Sequence, residues 1–110
     1  MIMYKNFHGL IDSKNIGKVL RDIAKLEKNN FKILTGYGSQ CGICISKQVA
    51  IKSLLKMKRE GIIKGFLPGE IKYQLLKPSS LYFIDKLKYF NVIKNDKDFG
   101  NEGIIFVFLE

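Results

Sequence analysis

The residues that most directly suggest chemistry are two cysteines, Cys41 and Cys44, which stand in a CGIC tetrapeptide. A cysteine pair at this spacing is a redox site when it opens a helix that lowers a thiol pKa. It is half of a tetrahedral zinc site when two more ligands join it. His8 is the one histidine of the sequence, so a zinc site would need a ligand from a second chain. No thioredoxin-like order of elements is evident, and we interpret the cysteines as incidental.

A second group that suggests chemistry is acidic. Asp96, Asp98 and Glu102 lie close together in the polar segment 95–103. Their spacing does not match a calcium-binding loop, so we interpret the segment as a solvated turn. The sequence also lacks a Ser/His/Asp or Cys/His arrangement that would indicate nucleophilic catalysis. We therefore expect no catalytic residue, no cofactor and no metal, and a protein that is not an enzyme.

Cations recur along the first predicted helix at alternating steps of four and three residues: Lys14, Lys18, Arg21, Lys25 and Lys28. That spacing places all of these side chains in one stripe along the helix. Like charges at this spacing repel one another, and the phosphates of a nucleic acid would neutralise them. The alternative is that the stripe is a solvated helix face.

The second predicted helix begins at Ser46 and carries polar and basic residues opposite its apolar positions. These are Gln48, Lys52, Lys56 and Arg59, with Lys47 and Lys58 at the flanks. Such a helix suits a DNA groove, since residues at its start can reach base edges while its lysines meet phosphates. Ser46 and Gln48 are the candidates for base contacts, because Gln can pair with adenine through two hydrogen bonds. The alternative is an ordinary amphipathic surface helix.

A glycine-rich loop over residues 36–45 precedes this helix and carries Tyr37, Ser39 and Gln40. Backbone amides in such a loop can cradle a phosphate, and Tyr37 can stack on a base or a sugar. The loop is not a Walker motif, because the Gly-Lys-Ser/Thr ending is absent. We include the three side chains among the candidate DNA contacts, with a simple connector as the alternative.

Hydrophobic periodicity predicts three helices and several short strands that would position these residues. The helices are expected over residues 13–29, 46–60 and 78–94, and the strands over residues 2–10, 31–35, 62–67 and 104–109. The last strand is continuously apolar, which predicts a central strand covered on both faces. After the turn signal Pro68-Gly69, the apolar residues Ile71, Tyr73 and Leu75 alternate with polar ones and favour a returning strand. Lys64 and Lys72 would then lie on a hairpin. A short helix from Pro68 is the alternative.

The charge of the chain is the strongest general indication of its partner. The 110 residues contain 19 Lys and Arg against 10 Asp and Glu, so the formal net charge is +9 and the pI is about 9.6. An excess of this size favours a polyanionic partner, most commonly nucleic acid. The N-terminus does not resemble a signal peptide, and no apolar run approaches the roughly 20 residues of a membrane span. We expect a soluble cytoplasmic protein with no membrane partner.

The stretch SKQVAIKSLLKMKREGIIKGFLPGEIKYQLL resembles winged-helix DNA-binding proteins, in which a recognition helix runs into a hairpin called the wing. The resemblance covers about residues 13–77 of the chain. With its Lys-, Ile- and Asn-rich composition, the chain is also similar to small winged-helix accessory proteins of conjugative plasmids from low-GC bacteria. The resemblance implies binding to duplex DNA at a plasmid transfer origin, as a dimer and without enzymatic activity.

The segment GYGSQCGICISKQVAIKSLLKM resembles instead the end of a double-stranded-RNA-binding domain, where a glycine-rich turn precedes a helix that begins Ser-Lys-Lys. Lys47 matches one of those lysines, and Gln48 departs from the next. That fold needs three strands between its helices, and residues 30–45 have room for two at most. RNA binding is therefore an alternative function, and a protein-interaction or inhibitor factor of a mobile element is another.

Together these patterns predict one compact α+β domain over residues 1–110, winged-helix-like, with about three helices and a small antiparallel sheet. The expected partner is double-stranded DNA, with RNA as the alternative, and the winged-helix resemblance implies a homodimer. The expected phosphate contacts are Lys47, Lys52, Lys56, Arg59, Lys64 and Lys72.

Overall fold

The computed structural model describes residues 2–7, 13–35 and 45–110, and within those ranges it holds three α-helices and four β-strands. In chain order these are β1 (Met3–Asn6), α1 (Ile16–Leu26), β2 (Phe31–Leu34), α2 (Ile45–Arg59), β3 (Gly65–Pro68), α3 (Phe83–Ile93) and β4 (Ile104–Phe108). Two short 3₁₀ segments, Ser13–Asn15 and Gly69–Tyr73, complete the regular structure of these ranges. The α+β class and the three predicted helices are confirmed.

The strands form one sheet in the order β1-β2-β4-β3. β1 and β2 pair in parallel, whereas β4 runs antiparallel to both β2 and β3. The prediction of a purely antiparallel sheet is therefore wrong. The physical reason is α1, because a helix between two consecutive strands returns the chain to the same end of the sheet and allows parallel pairing.

The predicted hairpin after β3 is also wrong, and the short helical alternative is nearer to the structure. β3 pairs with β4, and the residues that follow form the 3₁₀ segment Gly69–Tyr73 rather than a returning strand. Gly69 fixes this departure, because its carbonyl accepts a 2.9 Å hydrogen bond from the Gly100 amide. Of the three alternating residues that suggested a strand, Ile71 is buried while Tyr73 and Leu75 are exposed. The winged-helix expectation relied on this hairpin and is not confirmed.

β4 lies between β2 and β3, and all of its residues are buried, which confirms the predicted central strand. Its side chains alternate between two clusters, as the two-residue period of a strand requires. Ile105 and Val107 point to the cluster formed with α1 and α2, and the other three residues, Ile104, Phe106 and Phe108, point to the cluster formed with α3. The sheet therefore separates a layer of two helices from a layer that contains the third.

α1 and α2 lie side by side on one face of the sheet. Ile16 and Leu20 of α1 share a core cluster with Ala50, Leu54 and Met57 of α2. The helices approach closely, since a methyl group at Gly17 would lie 2.9 Å from the Oγ of Ser53. Their opposite faces must therefore point away from the sheet on the same side of the molecule.

Candidate nucleic-acid interface

The outer face of α2 consists of the polar and basic residues that its sequence pattern singles out. Gln48, Lys52, Lys56 and Arg59 are all exposed, while the apolar residues on the opposite side of the helix are buried. The helix contains no acidic residue from Ile45 to Arg59. Its outer face is therefore a row of cations with one amide near its N-terminal end.

The outer face of α1 is also basic, but the predicted stripe is interrupted. Lys18 and Lys25 are exposed, whereas Arg21 is half-buried and turned toward α2. There its guanidinium donates hydrogen bonds of 2.8 and 3.3 Å to the carboxylate of Glu60. This contact raises the pKa of Arg21 and lowers the pKa of Glu60. Arg21 joins the two helices. Lys18 and Lys25 are the exposed stripe residues on α1, and Lys14 and Lys28 are exposed just before and just after the helix.

The two rows together form a single surface, which we call the basic face. It consists of Lys18, Lys25, Gln48, Lys52, Lys56 and Arg59. The contacts from Gly17 to Ser53 and from Arg21 to Glu60 show that the two helices run in the same direction. Packed helices lie about 8–10 Å apart, so the two rows of cations are separated by about one helix diameter.

Most carboxylates of the described ranges form ion pairs with cations outside this face. Six of them form ion pairs in the described ranges: Lys5–Glu27, Arg21–Glu60, Lys32–Asp96, Lys32–Asp98, Lys47–Glu70 and Lys58–Asp85. None of these pairs includes a lysine of the basic face or Arg59. Two carboxylates lie beside the face. Asp22 is exposed on α1, four residues from Lys18 and three from Lys25. Glu60 follows Arg59, and Arg21 first and the charge of Lys56 in addition lower the pKa of Glu60. Within the described ranges the cations of the face form no ion pair, and they outnumber these two carboxylates.

Lys47 is set apart from the other predicted phosphate contacts. Its side chain is 17% exposed, and its ammonium group forms an ion pair with Glu70 and donates a 2.8 Å hydrogen bond to the carbonyl oxygen of Glu102. These contacts fasten the first turn of α2 to the chain after β3 and to the approach to β4. We leave Lys47 out of the basic face because its charge acts inside the protein.

The remaining predicted contacts are divided between the two sides of the sheet. Lys72 lies over the rings of Tyr73 and Phe99, at 5.6 and 5.8 Å from their centroids, and Phe99 belongs to the cluster on the α3 side. The structure therefore separates Lys72 from α2. Lys64 is exposed in the connection that follows α2, and Ser46 is half-buried in the first turn of α2.

Several candidate residues lie outside the ranges that the structure describes. These are Tyr37, Ser39 and Gln40, together with Cys41, Cys44 and His8. The predicted phosphate-binding loop and the interpretation of the cysteines both depend on them. Both stay predictions from the sequence.

One polar site was missed by the sequence interpretation, on the opposite face of the sheet. Lys32 of β2 is buried, and its ammonium lies 2.8 Å from Asp96 and 2.9 Å from Asp98. Burial alone would lower the pKa of Lys32, but hydrogen bonds and charge attraction from both carboxylates raise it above its ordinary value. The interpretation of this segment as a solvated turn is therefore wrong for Asp96 and Asp98, whose side chains are 12% and 17% exposed.

The lysine and its two carboxylates line a cleft of about 820 Å³ that also contacts Met3, Tyr4 and other residues near the β1 edge. The signal for this site was present in the sequence as one lysine inside the otherwise apolar strand FKIL. Among the described residues, no group of three or more His, Cys, Asp or Glu side chains could hold a metal ion. We interpret the cluster as a structural ion pair that holds segment 95–103 against the sheet.

Comparison with protein-family models, with curated proteins and with solved structures gives no match to this chain. In the described ranges, the longest helices are too short or too polar to cross a lipid bilayer.

Proposed function

We propose that this chain is a non-enzymatic cytoplasmic protein that binds double-stranded DNA on the basic face of α1 and α2. The observation that carries the proposal is the division of charge. The cations of this face point outward from two adjacent helices, while the carboxylates of the described chain are largely paired with other cations. A phosphate backbone supplies the missing negative charge and releases its own counterions on binding.

The spacing of the cations supports a phosphate-dominated interface. Lys52 and Lys56 are one helical turn apart, where like charges repel and destabilise an isolated helix. Phosphates bound between and beside these side chains remove that repulsion. Gln48 is exposed near the start of α2, and its amide is of the type that reads adenine in the major groove. Most of the affinity then comes from phosphate contacts and the sequence preference from few residues.

Groove dimensions favour DNA over RNA as the duplex. The major groove of B-form DNA is about 12 Å wide and admits a helix, whereas the major groove of A-form RNA is too narrow for side chains to read. α2 presents its long outer face without an acidic residue, so its surface can approach a B-form groove along its length. An RNA duplex is the control ligand that tests this choice.

The proposal is tested by fluorescence anisotropy with an AT-rich DNA duplex and a matched RNA duplex, between about 50 and 200 mM salt. We expect DNA binding that weakens steeply with salt: the logarithm of the association constant should fall with the logarithm of the salt concentration, with a slope of about −0.9 for each phosphate contact. The charge-reversal variant K52E/K56E removes two of these contacts. It should weaken DNA binding at least tenfold and reduce the steepness of the salt dependence by the contribution of about two phosphate contacts.

The matched control is K77E/K94E, which makes the same change in net charge on the other side of the sheet, where both lysines are exposed. Its DNA affinity should fall much less than that of K52E/K56E. Equal losses in both variants would show that net charge alone drives binding and would remove α2 as the interface. Absence of binding to DNA at low salt would overturn the proposal, and preferential binding to the RNA duplex would replace DNA by RNA.

A further inference from the structure

The outer side of α3 and the segment before it form an apolar surface that the rest of the described chain leaves uncovered. Its members are Tyr73, Leu75, Leu81, Ile84, Leu87 and Phe90, and we call this the α3 surface. Tyr73 is 74% exposed, Ile84 64% and Leu87 70%, and Leu75 is fully exposed. The buried side of the helix is formed instead by Asp85, Tyr89 and Ile93.

Three contacts hold the segment before α3 and the Tyr73 side of the surface against the helix, on which Ile84 and Leu87 lie three residues apart. The ammonium of Lys86 donates hydrogen bonds of 2.9 and 3.0 Å to the carbonyl oxygens of Ile71 and Gln74, which holds that segment beside α3. Phe90 packs edge-on against Phe99, with ring centroids 5.9 Å apart. Lys72 reaches over both Phe99 and Tyr73. Single exposed apolar residues are ordinary, but a contiguous apolar surface of this kind is typical of a protein interaction site.

The charges around the α3 surface restrict the partner. Exposed lysines border it at positions 72, 77, 88 and 94. From residue 71 to residue 95 the sequence contains one acidic residue, Asp85, and its carboxylate is buried and lies 3.0 Å from the Lys58 ammonium. Within residues 71–95, the border of the surface is therefore cationic and has no exposed carboxylate; Asp96 and Glu110 lie near the C-terminal end of α3, where they line a pocket with Val92.

A second copy of the chain is a poor partner for such a surface, because pairing two copies would bring their lysines together. Like charges brought together at an interface are unfavourable, whereas opposite charges favour encounter and fix the orientation of the partner. We propose that the α3 surface binds an acidic protein partner, through an amphipathic helix whose apolar stripe is flanked by Asp or Glu. Such a helix would bury the apolar residues while its carboxylates meet the lysines at the border.

This inference goes beyond the proposed DNA binding, because it uses the opposite side of the sheet. α3 packs on the cluster that contains Phe106 and Phe108, while the basic face belongs to the helices on the other cluster. Neither ligand would cover the surface of the other. The protein could then hold nucleic acid and an acidic partner at the same time.

The test uses three synthetic peptides and the full chain. The first is an amphipathic helix with a leucine stripe flanked by glutamates, the second carries lysines in place of the glutamates, and the third is a scramble of the first. Affinity is measured by isothermal titration calorimetry, and the binding surface is mapped by amide chemical shifts. We expect the glutamate peptide alone to bind, with shifts concentrated in α3 and residues 73–81.

Two kinds of variant locate the interaction. L87E and I84E place a charge in the apolar surface at exposed positions and should each weaken the glutamate peptide at least tenfold. K77E/K94E should weaken it as well, whereas K52E/K56E should leave it unchanged. This pattern is the reverse of that expected for DNA, so failure of one proposal is distinguishable from failure of the other. Circular dichroism confirms that each variant is folded.

Three outcomes would overturn the inference. In the first, the glutamate peptide binds no better than its scramble. In the second, the amide chemical-shift changes that it causes fall on α1 and α2. In the third outcome, sedimentation shows that the chain self-associates and that L87E makes it monomeric, so a second copy covers the α3 surface.

Discussion

At the scale of single residues, the pairing of charged groups decides which side chains are available to a partner. Lys47 and Lys52 lie five residues apart in the same helix and look alike in the sequence. Lys47 is held by Glu70 and the carbonyl oxygen of Glu102, whereas Lys52 points away from the protein. Only the second can neutralise a phosphate without breaking an internal contact.

Lys32 gives a prediction about stability. Replacing it by methionine leaves Asp96 and Asp98 largely buried with no cation beside them, and removing one member of a buried pair costs about 3 kcal/mol or more. K32M should therefore lower the free energy of unfolding by about 3 kcal/mol, measured by urea denaturation. The triple variant K32M/D96N/D98N removes the uncompensated charges and should recover much of the loss. If K32M is as stable as the wild type, the ion pair is not structural.

Tyr82 gives a prediction about pH. Burial, with a smaller contribution from the charge of Glu70, raises the pKa of Tyr82 to about 12 from an ordinary value of 10.0. Below pH 10 the phenol is neutral in both the folded and the unfolded chain. Between about pH 10 and 12 the unfolded chain ionises first, so this tyrosine favours unfolding as the pH rises.

The variant Y82F tests this sign, because it keeps the ring that packs edge-on against Phe66 at 5.7 Å. Urea denaturation at pH 9 and pH 11 should show a smaller loss of stability in Y82F than in the wild type. The pKa of Lys32 is also raised, which adds a loss in the same direction that both proteins share. Equal losses in the two proteins would show that Tyr82 ionises as freely when folded as when unfolded.

At the scale of elements, the end of β3 is fixed by close backbone packing. A methyl group at Gly69 would lie 2.1 Å from the carbonyl oxygen of Asn101, which is backbone and cannot turn aside. G69A should therefore destabilise the protein by about 2–3 kcal/mol, as overpacking of a core does. Urea denaturation measures this loss.

Gly61 provides the comparison, because it has a φ of +78° with open space around it. G61A meets no clash and should cost about 1–2 kcal/mol from its left-handed backbone alone. A cost for G69A no greater than that for G61A would show that the approach to Asn101 relaxes easily. The two substitutions together separate steric overlap from backbone conformation.

The local pattern of apolar residues predicted most helices and strands correctly and failed for the segment after β3. The 3.6-residue periodicity placed all three helices, although two are shorter than expected: α1 begins after the 3₁₀ segment Ser13–Asn15, and α3 begins at Phe83 rather than at residue 78. The alternation of Ile71, Tyr73 and Leu75 predicted a strand, but packing of Gly69 against residues 98–101 turned the chain away from the sheet. A contact about 30 residues away along the chain cannot be read from the alternation itself.

At the scale of the whole molecule, the sheet separates two surfaces with different chemistry. One side presents cations from α1 and α2, and the other presents apolar side chains from α3 with lysines at their border. The reversals K52E/K56E and K77E/K94E each lower the net charge from +9 to +5, because each replacement of a lysine by a glutamate lowers the charge by two. Any difference between them in DNA affinity must come from position. The role in plasmid transfer that the winged-helix resemblance implies stays a prediction.

The sequence by itself determined the positive charge, the α+β class, the helix positions and the residues on the outer face of α2. These depend on composition and on periods of a few residues, which are local properties of the chain. The tertiary structure decided the order of the strands, the loss of the hairpin, the burial of Asp96 and Asp98, and the exposure of the α3 surface. Those features depend on contacts such as Lys32 with Asp96, which are 64 residues apart. The sequence alone does not identify such pairs, because its many lysines and carboxylates could pair in many ways. Only folding, which brings distant segments together, decides which of them meet.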